Sequence, residues 1–167
     1  MGTPSPEQVG EWFETEAGPM VLYARQWLDA GQAEDVVQEA FLRLMQQTNP
    51  PDQAKAWLYR AVRNLALNRL RSIGRRRCRE EQLADETPAW FESDPGVGID
   101  ARQAEAALRR LPAEERELVT LRIWGGLPLD QIASILGWST ATVFRRYRNV
   151  LQQLRAEMEK SCLSPSH

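Results

Sequence analysis

Histidine is nearly missing from this sequence, and cysteine is scarce. The single histidine is His167, and the two cysteines, Cys78 and Cys162, lie far apart. That excludes a disulfide framework and a Cys/His zinc site, and leaves no placed imidazole for acid–base catalysis. A reducing, cytoplasmic setting fits such cysteine usage. The first eighteen residues hold no Lys or Arg and no apolar run, so no signal peptide is expected. No segment is apolar for long enough to span a bilayer, so no membrane insertion is expected. Strand-like alternation is almost absent. No phosphate-cradling glycine loop, nucleophile elbow or metal-ligand cluster occurs, which makes an enzyme the weakest class and leaves no cofactor implied.

What is present is an ordinary globular composition over 167 residues, 43% apolar and 26% charged. The net charge of −2 conceals a strong alternation. Residues 1–48 carry net −6, residues 49–79 net +8, residues 80–107 net −7 and residues 108–167 net +3. Two basic blocks separated by acidic ones suit a chain that touches a polyanion at two places, although solvated helix faces would give the same pattern.

Helix signals fill the rest. Ser5-Pro6 opens a helix to about residue 17. Gly18-Pro19 then predicts an interruption, with a second helix to residue 29 that Gly31 ends. Helical apolar spacing continues over 33–47, through Val36, Val37, Ala40, Phe41, Leu44 and Met45. After the stiff loop at Pro50-Pro51, a long helix is expected from about residue 53 to Arg79, with Gly74 as its weak point. Residues 80–98, EEQLADETPAWFESDPGVG, have no apolar periodicity and read as a linker. Helices resume near Ile99, with one over about 113–124, a short one over 129–136 and a long one capped by Ser139. The expected architecture is all-α. Two small helical domains, 1–79 and 104–167, are joined by a flexible acidic linker over 80–103.

The stretch LDQIASILGWSTATVFRRY, residues 129–147, has the grammar of a helix-turn-helix. Ala133 lets two helices cross closely, Gly137 permits the turn, and Ser139 caps the second helix. Val143, Tyr147, Val150, Leu151 and Leu154 form the inward stripe of that helix. Ala141, Arg145, Arg148, Asn149 and Gln152 lie opposite, flanked by Thr142 and Arg146. Arginine forks suit phosphate oxygens and guanine edges. Phe144 has two readings: contact with a thymine methyl, or filling of a gap near the first helix.

In the first basic block, Leu58, Ala61, Val62, Leu65 and Ala66 define a buried side of the helix. Arg60, Arg63, Asn64, Arg71 and Arg75 form a separate stripe, with Asn68 at its edge and Trp57 on it. An aromatic ring among arginines and amides suits unpaired nucleic acid, while core filling by Trp57 is the plainer reading. Asp35, Gln38, Glu39 and Leu42 share one face of the preceding helix. That face is acidic and carries an exposed leucine, which is poor for DNA and usable for protein docking.

Three segments, AEDVVQEAFLRLM, AWLYRAVRNLALNRLR and LPAEERELVTLRIWGGLPLDQIASILGWSTATVFRRYRNVLQQLR, closely resemble the extracytoplasmic-function group of bacterial sigma factors. The resemblance covers about residues 11–79 and 104–155. It implies core RNA polymerase and promoter DNA as partners, and leaves an anti-sigma factor open as a third. By resemblance, Asp35, Gln38, Glu39 and Leu42 lie on the polymerase-docking face. The loop around Asn49, Asp52 and Lys55 holds a flipped −10 base. Trp57, Arg60, Arg63 and Asn64 follow the melted strand, and Arg75, Arg76 and Arg77 grip backbone nearby. Ser139, Thr142, Arg145, Arg146 and Arg148 contact the −35 element. The linker passes near the polymerase active-site channel.

The sequence departs from the family pattern at Asn68, where aspartate is usual, and at Ala141, where glycine is usual. Phe144 and Arg145 stand where lysine then serine are common, and Pro50-Pro51 is unusual. Two other readings remain. One is a conventional helix-turn-helix regulator that binds duplex DNA without polymerase. The other is a helical adaptor that binds protein through Trp90-Phe91.

Overall fold

The structure is a computed structural model that describes the backbone of residues 4–79 and 106–163 and the side chains of residues 4–76 and 106–160. The expected linker lies outside the described residues. Contacts divide the chain into two compact units, Met1–Trp90 and Phe91–His167. The fold is all-α, as the sequence predicts.

Among the described residues the first unit holds three helices: α1 (Pro6–Ala24), α2 (Ala30–Met45) and α3 (Ala54–Arg79). Ser5 starts α1 with a reciprocal cap. The Gln8 N–H donates to Ser5 Oγ at 3.2 Å, and the Ser5 N–H donates to Gln8 Oε1 at 3.1 Å. Such a cap contributes about 1 kcal/mol.

The break expected at Gly18-Pro19 does not occur; α1 runs through both residues. Proline removes one backbone donor and normally kinks or ends a helix. Here the next turn buries Met20, Tyr23 and Ala24 completely, and that packing outweighs the local penalty. The end expected at residues 29–31 is also corrected. Asp29 begins α2, where its Oδ1 accepts the Gln32 N–H at 2.8 Å, and Gly31 lies in the first turn.

Ala33, Val36, Val37, Ala40, Phe41 and Leu44 of α2 pack inward with Leu58, Tyr59, Val62 and Ala66 of α3. Tyr59 is fully buried and meets Tyr23 edge-on, ring centroids 5.5 Å apart. Its hydroxyl has no hydrogen-bond partner among the described residues.

Burial, and secondarily the Glu16 carboxylate, push the Tyr59 phenol well above the usual tyrosine range. In the unfolded chain it ionises near pH ~10, whereas the folded chain keeps the proton. Its contribution to stability is therefore intact below that pH and is lost as pH rises above it. Tyr59→Phe is expected to flatten the alkaline loss and not to lower stability at neutral pH, since an unpaired buried hydroxyl is removed. Thermal melts at pH ~7 and pH ~11 check this. Equal alkaline losses in both proteins would contradict it.

The described part of the second unit opens on a helical stretch at residues 106–110, followed by α4 (Ala113–Ile123), α5 (Leu129–Leu136) and α6 (Thr140–Leu163). Arg116 ties the stretch to α4. Its guanidinium donates to the carbonyls of Leu108, Arg109 and Leu111 at 3.2, 3.0 and 3.0 Å, satisfying groups that a helix end leaves open. Leu118, Leu121, Leu127, Ile132, Val143 and Val150 form the core.

Candidate nucleic-acid interface

The helix-turn-helix is α5, its turn and the start of α6. Gly137 closes α5 at φ 72°, a left-handed conformation that costs a side-chain-bearing residue about 1–2 kcal/mol. Trp138 then donates its N–H to the Ala133 carbonyl at 3.0 Å. Ser139 caps α6 by accepting the Thr142 N–H at 3.2 Å, and its hydroxyl lies 2.8 Å from Thr142 Oγ1. Ala133 is buried at the crossing. Short range therefore dictates both the sharpness of the turn and the direction in which α6 leaves it.

On α6, Val143 and Val150 are buried as the stripe predicts, and Tyr147 and Leu154 are half-buried. Leu151 departs from the stripe and is 37% exposed. Among the expected contact residues, Ser139, Arg145 and Arg148 are exposed and Thr142 is half-buried.

Arg146 differs from its neighbours. Its Nη1 lies 2.7 Å from Glu114 Oε2 and 3.5 Å from Glu115 Oε1, and its guanidinium carbon sits 4.3 Å from the Trp138 ring centroid. It binds α6 to the start of α4 and to the turn. The ion pairs are partly exposed and the cation–π contact is partly hydrated, so together they are worth on the order of 1 kcal/mol. Arg146→Ala is expected to lower thermal stability by that amount while leaving the salt dependence of DNA binding unchanged. Arg145→Ala should do the reverse, since a lost phosphate or base contact lowers affinity without touching the fold. Melts and salt titrations of the two variants, side by side, separate the roles.

In the first unit, α3 carries a second basic face. Arg60, Asn64, Asn68, Arg71, Arg75 and Arg76 are exposed, while Trp57 and Arg63 are half-buried. Arg71 Nη1 is 3.5 Å from Asn68 Oδ1. Arg77 lies on α3, but its side chain is outside the described residues. Asn49 and Asp52 are exposed in the loop before α3. Lys55 opens α3, and its Nζ lies 2.9 Å from Glu16 Oε1 of α1.

Of the α2 residues expected to dock protein, Asp35 and Gln38 are exposed, Glu39 is half-buried and Leu42 is 58% exposed. Beside Leu42, Phe13 of α1 and Met45 are also exposed, and a groove of about 470 Å³ runs between α1 and α2 under them. Sequence reasoning missed Arg69. It reaches from α3 to Asp35 Oδ2 at 3.4 Å, to Glu39 Oε2 at 4.0 Å and to the Gln32 carbonyl at 3.4 Å. A signal existed: residue 69 follows Val62, Leu65 and Ala66 at helical spacing, so an arginine stands where the buried stripe continues. Glu39 also pairs with Arg43 at 2.7 Å, so the acidic face is partly neutralised from within.

Among the described residues no helix is long and apolar enough to cross a membrane, and no group of three or more His, Cys, Asp or Glu side chains is placed to hold a metal.

The family model for sigma-70 region 2 matches residues 13–76, and that for sigma-70 region 4 matches residues 101–154. The ECF RNA polymerase sigma factor SigL of Mycobacterium tuberculosis is 31% identical over 137 residues, covering 79% of this chain and 77% of SigL. SigE of Mycolicibacterium smegmatis is 35% identical over 136 residues, covering 77% of this chain; the chain spans about half of SigE, 52%. Among solved structures, the sigma factor RpoE of Bartonella quintana, in complex with the anti-sigma factor NepR, matches with a TM-score of 0.70. It is 19% identical, and the match covers 93% of this chain and 98% of that one. CnrH, in complex with the cytosolic domain of CnrY, matches at 0.59 and 20% identity, covering 93% and 90%. The chain belongs to the extracytoplasmic-function group of the sigma-70 family of RNA polymerase sigma factors.

Proposed function

We propose that this chain binds core RNA polymerase in the cytoplasm and directs it to promoters, with each unit reading a different DNA state. The α2 face of Asp35, Gln38, Glu39 and Leu42 docks on the polymerase. The loop with Asn49 and Asp52, and the α3 residues Trp57, Arg60, Arg63, Asn64, Arg75, Arg76 and Arg77, take the melted −10 strand. Lys55 ties the start of α3 to α1 through Glu16. In the second unit Ser139, Thr142, Arg145 and Arg148 contact duplex at −35, while Arg146 positions α6.

The observation that supports this most is the presence of two dissimilar basic faces, one on each unit. The helix-turn-helix suits a major groove. The α3 face, with a half-buried tryptophan among arginines and amides, suits an unpaired strand. A conventional duplex-binding regulator needs only the first.

The chain supplies no bond chemistry in this scheme. Melting is driven by binding energy, including capture of an unpaired base. Free in solution, the acidic blocks at residues 1–48 and 80–107 lower nonspecific DNA affinity. Polymerase then fixes both readers at promoter spacing, and two weak contacts act together through effective concentration. An anti-sigma factor is a third partner, as the RpoE–NepR complex illustrates for that relative.

Size-exclusion chromatography of the full chain with bacterial core RNA polymerase tests the reading. A stoichiometric complex is the expected result. No complex, together with tight binding of the free chain to a palindromic duplex, would replace it with the conventional regulator.

A further inference from the structure

Phe144 is a large apolar side chain in the wrong solvent. It lies in the second turn of α6 and is 52% exposed. That exposure favours the first of its two sequence readings, since a ring filling a gap near the first helix would be covered over more of its surface. Val143, next to it, is the residue that points into the core, with no exposure at all. At 100° per residue Phe144 sits on the flank that continues into Arg148, Ala141 and Arg145. The Arg148 guanidinium carbon lies 5.8 Å from its ring centroid, within cation–π reach. Ala141, one turn earlier, is too small to screen the ring.

A phenyl ring forms no conventional hydrogen bond to a base edge. If it enters a major groove, it needs an apolar group there. B-DNA offers one on its base edges, the C5-methyl of thymine. Arg148, held alongside the ring, supplies the donor fork for an adjacent guanine edge or phosphate. We infer that Phe144 is a specificity-determining residue that selects a thymine in the upstream promoter element through its C5-methyl group. The inference rests on the reading that α6 docks in the −35 duplex, and it adds a base preference which the arginines alone would not give.

The test uses holoenzyme assembled from the full chain and core RNA polymerase. Upstream elements are first selected from a randomised pool with wild type and with Phe144→Ala. Wild type is expected to enrich thymine at one position, and the variant to lose that enrichment. Deoxyuridine is then placed at that position, which removes only the methyl. Wild-type affinity should fall about fourfold, the value of one buried methyl. Phe144→Ala should bind the thymine and deoxyuridine sites equally, and Phe144→Leu should keep part of the discrimination.

Deoxyuridine that costs wild type nothing, or costs the variant as much as wild type, would overturn the inference. Arg145→Ala is the control for the underlying reading. If it weakens binding while deoxyuridine has no effect, α6 docks but Phe144 does not read thymine. If neither change matters, α6 does not enter the groove and both ideas fall.

Discussion

Leu42→Arg is expected to abolish the complex with core RNA polymerase at micromolar concentrations while leaving the fold intact. The fold does not use this side chain. The inward face of α2 is Ala33, Val36, Val37, Ala40, Phe41 and Leu44, all buried, whereas Leu42 is 58% exposed. A surface substitution of this kind changes stability by about 0.5 kcal/mol or less. The docked state is different. There the leucine would sit at the centre of a desolvated patch shared with Met45 and Phe13. A guanidinium in that place must shed its water without a designed partner, at several kcal/mol. Each 1.4 kcal/mol is about tenfold, so affinity should drop by at least ~100-fold. Leu42→Ala removes contact area without adding charge and should cost roughly tenfold to thirtyfold. Chromatography with polymerase, paired with thermal melts, reads both quantities. Full binding by the arginine variant would move the docking face elsewhere on the unit.

The other helices show what a sequence can and cannot announce. The span of α5, 129–136, and the start of α6 after Ser139 were legible because their signals are local: a small residue, a glycine in the left-handed region and a capping hydroxyl. The long α3 was legible because Leu58, Ala61, Val62, Leu65 and Ala66 recur at helical spacing and no proline follows Pro51 before residue 79. Gly18-Pro19 misled for the complementary reason. A local breaker was overruled by burial of Met20, Tyr23 and Ala24, whose partners lie on other helices.

The arginines divide along the same line. Arg145 and Arg148 read correctly as exposed from periodicity alone. Arg69, Arg116 and Arg146 have long side chains that reach carboxylates, carbonyls or a ring on other elements. Which of several arginines is spent inside the protein depends on tertiary distances that no spacing rule encodes. For the candidate site, the sequence thus indicated both faces but could not separate residues offered outward from those engaged within.

That separation makes the last prediction sharp. Arg71, Arg75 and Arg76 are exposed on α3, and none forms a salt bridge among the described residues, whereas Arg69 is paired with Asp35 and Glu39. If the first three hold the melted strand, replacing them together by alanine removes three phosphate contacts. Each contact to single-stranded DNA contributes about 0.7 to the slope of log affinity against log salt. The slope for holoenzyme on a −10 fork junction should therefore flatten by about 2, and affinity near 0.1 M salt should fall roughly 100-fold. Arg69→Ala should instead leave the slope alone and lower the melting temperature, because its partners are carboxylates of the same unit. Fluorescence anisotropy over a salt series measures the slope. An unchanged slope in the triple variant would mean that the strand follows another face of α3, whereas a flattened slope in Arg69→Ala would mean that the pair with α2 opens to admit DNA.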